Sequence, residues 1–269
     1  MLKKLVITAL LLILIGVGGS IAFYNSSNNT TTINETQSID YSTIDALQLD
    51  TISTDVEIIA SKEQQEATIE LIGKVKEANA PKLAVEVKGS RLVIDIQETR
   101  ENKWFNLSPN FAPETLLLKL HVPEKLVHTI EFKGISADVY LENIHSNSLK
   151  LATTSGDIDG ENLQFQTADI QTVSGDLELE KLLGEASITT ESGDIYLTMA
   201  DLIHPIEITS TSGDVELITS NEPTDVKFQV KSVSGDINLL GKYNESAVVG
   251  KGTTLVDIQT TSGDISVEN

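Results

Sequence analysis

The sequence contains no cysteine, which excludes disulfides, thiolate zinc sites, iron–sulfur clusters and cysteine nucleophiles. Aromatic residues make up only 4% of the 269 residues, and Val, Ile, Leu and Thr supply most of the apolar and β-branched content. This composition favours thin, regular β layers over a deep aromatic pocket. It therefore lowers the expectation of a small-molecule enzyme.

Basic residues are also scarce, because 19 Lys and Arg stand against 40 Asp and Glu, a formal net charge of -21. A chain this acidic is repelled by nucleic acid and by anionic membrane surfaces, so no nucleic-acid partner is expected. The sequence has no phosphate-binding loop, no G-x-S-x-G elbow and no H-E-x-x-H zinc motif. We expect no cofactor.

Residues 1–24 have the features of a membrane-targeting segment. Lys3 and Lys4 precede an uncharged stretch from Leu5 to Tyr24, which is about the length needed to cross a hydrocarbon core of ~30 Å. The lysines predict an N-terminus inside and the rest of the chain outside. We expect a single-pass anchor in the cell membrane with an extracytoplasmic C-terminal domain. A signal peptide cleaved near Ala22 is the alternative.

Residues 25–43 are rich in Asn, Ser and Thr and show no apolar period. This composition predicts a flexible polar stalk between the anchor and the folded domain.

An internal repeat dominates the rest of the chain. The tripeptide S-G-D occurs six times, at spacings of 19, 18, 20, 22 and 28 residues, beginning at Ser155, Ser174, Ser192, Ser212, Ser234 and Ser262. The residues six and four before each Ser are apolar, and the residue two before it is always Thr or Ser. Apolar residues also follow three and, with one exception, five positions after it. Each unit therefore consists of two period-2 strands.

The apolar face changes parity at S-G-D, which a continuous strand cannot do without a bulge or a corner. S-G-D is therefore predicted to be a corner, in which Gly enters positive φ at low cost and Ser and Asp bond nearby amides. Weaker copies with the same offsets occur at Ser53-Thr54-Asp55 and Ser136-Ala137-Asp138. The Thr or Ser before each corner predicts an inward hydroxyl column, with each hydroxyl able to donate to the next.

Such a short unit cannot bury its own apolar face, but stacked copies can, as in a parallel β-helix. We predict an all-β fold in which residues 126–269 form a parallel β-solenoid. An antiparallel sandwich is the competing architecture. Residues 44–125 contain two apparent hairpins, in 55–75 and 82–97, and predict an antiparallel β cap at the N-terminal end.

The early VEI strand, the KGSRLVI hairpin, the LLLKLHVP strand and the serial S-G-D coils together resemble the LiaG-like putative-adhesin family of β-strand-repeat proteins. The resemblance covers about residues 45–269. It implies a right-handed parallel β-helix and, for anchored members, an association with the bacterial envelope and its stress response. It supplies no catalytic residues.

Stacking is expected to align the S-G-D carboxylates about one strand spacing apart, in an arrangement that could hold Ca²⁺. Weak repulsion between solvated carboxylates also permits a purely structural role, which we favour. The candidate metal ligands are therefore weak ones: Asp157, Asp176, Asp194, Asp214, Asp236 and Asp264.

The irregular stretch 101–114 holds Trp104, Phe105 and Phe111. Such a loop either plugs a solenoid end or presents an aromatic anchor to a partner. Together these features predict a membrane-anchored, non-enzymatic β-helix protein that binds or scaffolds at the envelope in adhesion or stress response. Its partner would be an envelope protein or a glycan. A cell-surface glycan-active lyase or hydrolase and a passive structural spacer are the alternatives.

Overall fold

The computed structural model of the protein describes residues 30–77, 80–97 and 115–269. These residues form strands joined by turns and bends, with no α-helix among them. The strands are β1 (Thr30–Ile39), β2 (Ala46–Asp50), β3 (Asp55–Ser61), β4 (Ala67–Lys76), β5 (Lys82–Lys88), β6 (Arg91–Gln97), β7 (Thr115–Pro123), β8 (Val127–Lys133), β9 (Val139–Glu142), β10 (His145–Ala152), β11 (Ile158–Glu161), β12 (Gln164–Ser174), β13 (Leu177–Ser192), β14 (Ile195–Met199), β15 (Ile206–Ser212), β16 (Val215–Thr219), β17 (Val226–Ser234), β18 (Ile237–Leu239), β19 (Ala247–Val249), β20 (Thr254–Ser262) and β21 (Ile265–Glu268).

The strands stack as parallel coils, which confirms the solenoid. Each coil places the strand before an S-G-D corner in one sheet, here sheet B, and the strand after the corner in a second sheet, sheet A. The long strand β13 serves two coils, because residues 177–182 pair in sheet A and residues 183–192 pair in sheet B. Inward residues of both sheets form one continuous apolar core.

Two coils lie out of sequence order. Along the axis the order is β6–β7, β2–β3, β8–β9, β10–β11, β12 with the first part of β13, the second part of β13 with β14, β15–β16, β20–β21 and β17–β18. The first and the last coils of the sequence are thus each held between two others. The two end coils, β6–β7 and β17–β18, come from internal segments of the chain.

The predicted antiparallel cap at 44–125 is wrong for four of its strands. β2, β3, β6 and β7 pair in parallel, and in β2 and β3 the residues Leu47, Leu49, Val56 and Ile58 occupy the same offsets as in the later repeats and are buried. The antiparallel pairs at this end are β5 with β6 and β4 with β7. The segment 55–75 is not a hairpin, since β7 lies between β3 and β4.

The predicted flexible stalk also needs correction. Residues 30–39 of that segment form β1, which pairs antiparallel with β4 along its whole length. The strand lies at the edge of sheet A, where its polar side chains remain largely exposed, and only Ile33 and Ile39 pack against the core. The missing apolar period therefore reflects an edge strand rather than a disordered linker.

Candidate functional site

The S-G-D corner brings adjacent coils into very close contact at its glycine. A Cβ on Gly193 would lie 2.1 Å from the carbonyl oxygen of Gly175 in the neighbouring coil. Gly193 also has a φ of 132°, a backbone conformation that other residues rarely adopt. This corner therefore requires glycine at position 193 both for its conformation and for the approach of the neighbouring coil.

The corner aspartates form a hydrogen-bonded column along the solenoid. The backbone N–H of Asp176 donates to Oδ1 of Asp157 at 2.8 Å, and the N–H of Asp194 donates to Oδ1 of Asp176 at 2.9 Å. The same contact recurs from Asp55 through Asp138 to the final coils. In axial order, the members are Asp55, Asp138, Asp157, Asp176, Asp194, Asp214, Asp264 and Asp236.

At the bend, the carboxylates of this column replace the backbone acceptors that continue the hydrogen bonding between coils. On either side of each Asp, backbone bonds continue between coils: Gly175 N–H donates to Ser192 O, and Leu177 N–H donates to Asp194 O. The N–H of the Asp itself instead donates to the carboxylate of the coil before it. The predicted amide bond is therefore present, but it joins neighbouring coils rather than closing the turn of one coil.

The inward hydroxyl column has the predicted burial but different hydrogen bonds. Thr190 and Ser210 are buried, and each hydroxyl donates to a carbonyl two residues further along its own chain, that of Ser192 or Ser212, at 3.2 Å. The hydroxyls of Thr153 and Thr172 have no partner among the described residues. The expected donation from one hydroxyl to the next is wrong, because the nearby corner carbonyl is the available acceptor.

The outer face of sheet A carries a second acidic column beside the first. Its members follow the corner Ser by four residues and lie in register on neighbouring strands: Glu57, Tyr140, Asp159, Glu178, Tyr196 and Glu216. Together with Asp157, Asp176, Asp194 and Asp214, the last four members line a groove of about 440 Å³. Sequence reasoning did not single out these residues, although their constant offset from S-G-D was a usable signal.

Burial and like charge act together on this face. Partial burial raises the pKa of Asp159 above its usual value, and the nearby carboxylates of Glu178 and Asp157 raise it further. Partial burial also raises the pKa of Asp55, a shift opposed by the hydrogen bond from the Asp138 amide. A smaller cavity of about 170 Å³ lies beside Asp55, Glu57 and Tyr140.

The structure brings the six candidate metal ligands into one exposed column, as the spacing predicted. One oxygen of each carboxylate except Asp236 accepts an amide bond from the next coil. Among the described residues, no group of three or more His, Asp or Glu has an arrangement suited to a metal ion. Calcium binding by this column stays a weak hypothesis for solution tests.

Two predicted features lie outside the described residues. Trp104, Phe105 and Phe111 belong to the segment 98–114, and the proposed membrane anchor belongs to residues 1–29. Within the ranges that the structure covers, no helix has both the length and the hydropathy of a membrane span.

A β-solenoid with two parallel sheets, glycine corners and an aspartate column defines the structural class of this protein. The family model described as Toastrack DUF4097 matches residues 44–158 and again residues 124–268. The chain belongs to this family. The two overlapping matches together span nearly all of the described solenoid.

Solved structures that match this chain share little of its sequence. A structure from Bacteroides fragilis described as a "putative adhesin" is 16% identical, with a TM-score of 0.49, and the match covers 90% of this chain and 98% of that one. A "putative lipid binding protein" from Parabacteroides distasonis is 16% identical, with a TM-score of 0.46 and the same coverage. No curated protein matches the chain significantly.

Proposed function

We propose that the protein is a membrane-anchored, extracytoplasmic scaffold of the bacterial envelope that binds a partner through the outer face of sheet A and catalyses no reaction. The apolar N-terminal run and its two lysines support the anchor. Membership of a family of solenoid domains is consistent with a surface role. The resemblance of the S-G-D coils to LiaG-like putative adhesins supports a role in adhesion or in the envelope-stress response.

The binding proposal rests on one observation, the alignment of the outward-facing residues on neighbouring strands of sheet A. Carboxylates and tyrosines lie in register on neighbouring parallel strands, so their spacing is fixed by the sheet at about 4.8 Å per coil. The groove beside them gives an extended ligand a place to lie. An extended, positively charged segment of an envelope protein matches both the charge and the shape.

Binding is tested with an oligolysine peptide and a variant that lacks three charges of the face, Asp159→Asn, Glu178→Gln and Glu216→Gln. Its matched control removes three charges from the outer face of sheet B: Asp169→Asn, Glu185→Gln and Glu207→Gln. We expect only the first variant to weaken binding, measured by titration at low salt. Equal weakening in both variants would show that the peptide senses net charge alone.

Localisation is tested on intact cells with an external protease. The domain after residue 25 should be digested, and the undigested full-length chain should fractionate with membranes. A mature chain that begins near Phe23 and is found in the medium contradicts the retained anchor.

One observation favours the glycan-active alternative. The raised pKa of Asp159 beside a second carboxylate, Glu178, is typical of the acid and base pair of glycoside hydrolases. The wild-type chain and Asp159→Asn would be compared for release of reducing ends from bacterial cell-wall glycans. Release that is lost in the variant would establish the enzyme and overturn the scaffold.

A further inference from the structure

The coil formed by residues 254–268 bridges two parts of the solenoid that do not otherwise pair. On one side Ile258 pairs with Ile208, and on the other it pairs with Val230. Among the described strands, β17 and β18 pair with β19, β20 and β21 and with no strand of the preceding coils. This segment therefore fills a slot whose two walls, coils β15–β16 and β17–β18, come from earlier in the chain.

The slot selects an extended segment with an S-G-D corner. Asp264 N–H donates to Oδ1 of Asp214 at 2.7 Å, and Asp264 Oδ1 accepts from the Asp236 N–H at 2.7 Å. A Cβ on Gly263 would lie 2.0 Å from the Gly213 carbonyl oxygen. The segment that fits these walls needs the repeat pattern of this chain, with glycine at the corner.

The connection that leads into the slot is long and rich in glycine. Gly241, Gly250 and Gly252 have φ angles of 62°, 65° and 70°. When extended at ~3.3 Å per residue, residues 240–253 reach roughly 45 Å, which is enough to enter a neighbouring molecule. An alternative path of this connection would carry residues 254–268 away at the loss of the β19 pairs with β17, while the edges of both walls that face the slot keep their residues.

A single carboxylate fastens the end of this connection. Asp225 Oδ1 accepts from the Lys251 and Thr253 N–H groups at 2.9 and 3.1 Å, and Oδ2 accepts from the Thr253 hydroxyl at 2.8 Å. These bonds hold the connection against the start of β17. Their removal is expected to loosen the connection and to leave the residues of both walls that pair with the segment unchanged.

We propose that this slot is a docking site for residues 254–268 of a second copy of the chain, so that two molecules exchange their final coils in a reciprocal dimer. The exchanged segment makes the same pairings with its partner that it makes with its own walls, and both slots are filled by one symmetric exchange. This proposal does not depend on the cationic partner proposed above.

The absence of native cysteine allows a direct test in the full-length chain. Thr209 and Gln259 are register partners on the exposed face of sheet B. One tagged copy would carry Thr209→Cys, and a second, differently tagged copy would carry Gln259→Cys. After the two copies are refolded together and oxidised, exchange predicts a disulfide-linked heterodimer on a non-reducing gel.

The control pair combines Thr189→Cys in one copy with Thr209→Cys in the other, because these residues are register partners in coils that are not exchanged. Adding Asp225→Ala to both copies of the test pair should increase the linked heterodimer. Adding Gly263→Val to the Gln259→Cys copy should abolish it. Equal yields from the test and control pairs, with no response to Asp225→Ala, would overturn the proposal.

Discussion

At the scale of single residues, the S-G-D tripeptide combines two different structural roles within three positions. The glycine permits backbone-to-backbone approach between coils, and the aspartate supplies the acceptor that the bent backbone no longer provides. Each role acts between coils, so replacing one residue disturbs two coils at once. The corner therefore stabilises the stack rather than the individual turn.

Gly193→Ala tests the close approach. The added Cβ meets the Gly175 carbonyl oxygen, so we expect a loss of at least ~2 kcal/mol of unfolding free energy. Gly89→Ala is the control, because Gly89 has a φ of 66° but no atom within 4 Å of a new Cβ. It should cost only about 1 kcal/mol of backbone strain. Equal costs in chemical denaturation would contradict the role assigned to the approach.

Asp194→Ala tests the hydrogen-bonded column. It leaves the Asp214 N–H without its acceptor, which should cost about 1–3 kcal/mol. Asp194→Asn keeps an acceptor oxygen and should cost less. Asp236→Ala is the matched control, since Asp236 ends the column and accepts no bond from a further coil among the described residues. A loss at Asp236 as large as that at Asp194 would indicate that the carboxylates act through charge instead.

At the scale of elements, connecting segments hold the N-terminal strands to the solenoid. The Lys125 ammonium lies between β7 and β8 and donates to the carbonyl oxygens of Tyr41 and Ile44 between β1 and β2. It also lies 4.8 Å from the centre of the Tyr41 ring. Burial raises the pKa of Tyr41 to about 12, so the ring remains neutral at physiological pH. One side chain thus joins two connections that are distant in sequence.

Lys125→Met tests this clamp. It keeps the aliphatic stem and removes the donor, and it should lower the unfolding free energy by about 1–3 kcal/mol. Lys62→Met is the control, because Lys62 is exposed and forms a surface ion pair with Glu124 at 3.7 Å. It should change stability by less than about 1 kcal/mol in the same thermal melts. Equal shifts in Tm would show that Lys125 contributes nothing beyond its charge.

The sequence correctly predicted which residues of each strand face the core. It did not predict which strands lie next to each other in the sheets. The offsets from S-G-D identify inward residues as early as Leu47 and Val56, because side-chain alternation is a local property. The same offsets occur in every unit, so any coil matches any other. No local pattern could show that β7 lies between β3 and β4, or that β20 lies between β15 and β17. The outer acidic column is less evident from the sequence than the tripeptide, because its position varies between Glu, Asp and Tyr.

At the scale of the whole molecule, the ionised carboxylates on the outer face of sheet A lower the stability of the folded state. The pKa values of Asp55 and Asp159 are raised, so the folded state binds more protons than the unfolded state near those pKa values. Stability should therefore rise as pH falls from 7 through the raised folded values, and the gain is complete below the ordinary unfolded value. Repulsion within the net charge of -21 also lowers stability at pH 7, and it weakens as carboxylates become protonated.

Asp159→Asn tests this dependence. The variant should raise Tm at pH 7 and should gain less than the wild type as pH falls towards the ordinary Asp pKa of 3.8. Asp225→Asn should act in the opposite direction, since hydrogen bonds from Thr253 lower the pKa of Asp225 and its contribution is lost on acidification. Thermal melts from pH 7 to below the ordinary Asp pKa of 3.8 measure both, and the loss of the Asp225 contribution is expected below that value. A wild-type Tm that falls steadily towards pH 5 would contradict the assigned sign.

All the bonds of the aspartate column point the same way along the axis, from the amide of one coil to the carboxylate of the coil before it. A stack built by this rule has no intrinsic length and would polymerise head to tail into a fibre. Antiparallel strands prevent this growth, with β1, β4 and β5 at one end and β19 at the other, where Ser246 also bonds both backbone groups of Val230. The terminators, not the repeats, therefore set the size of the molecule.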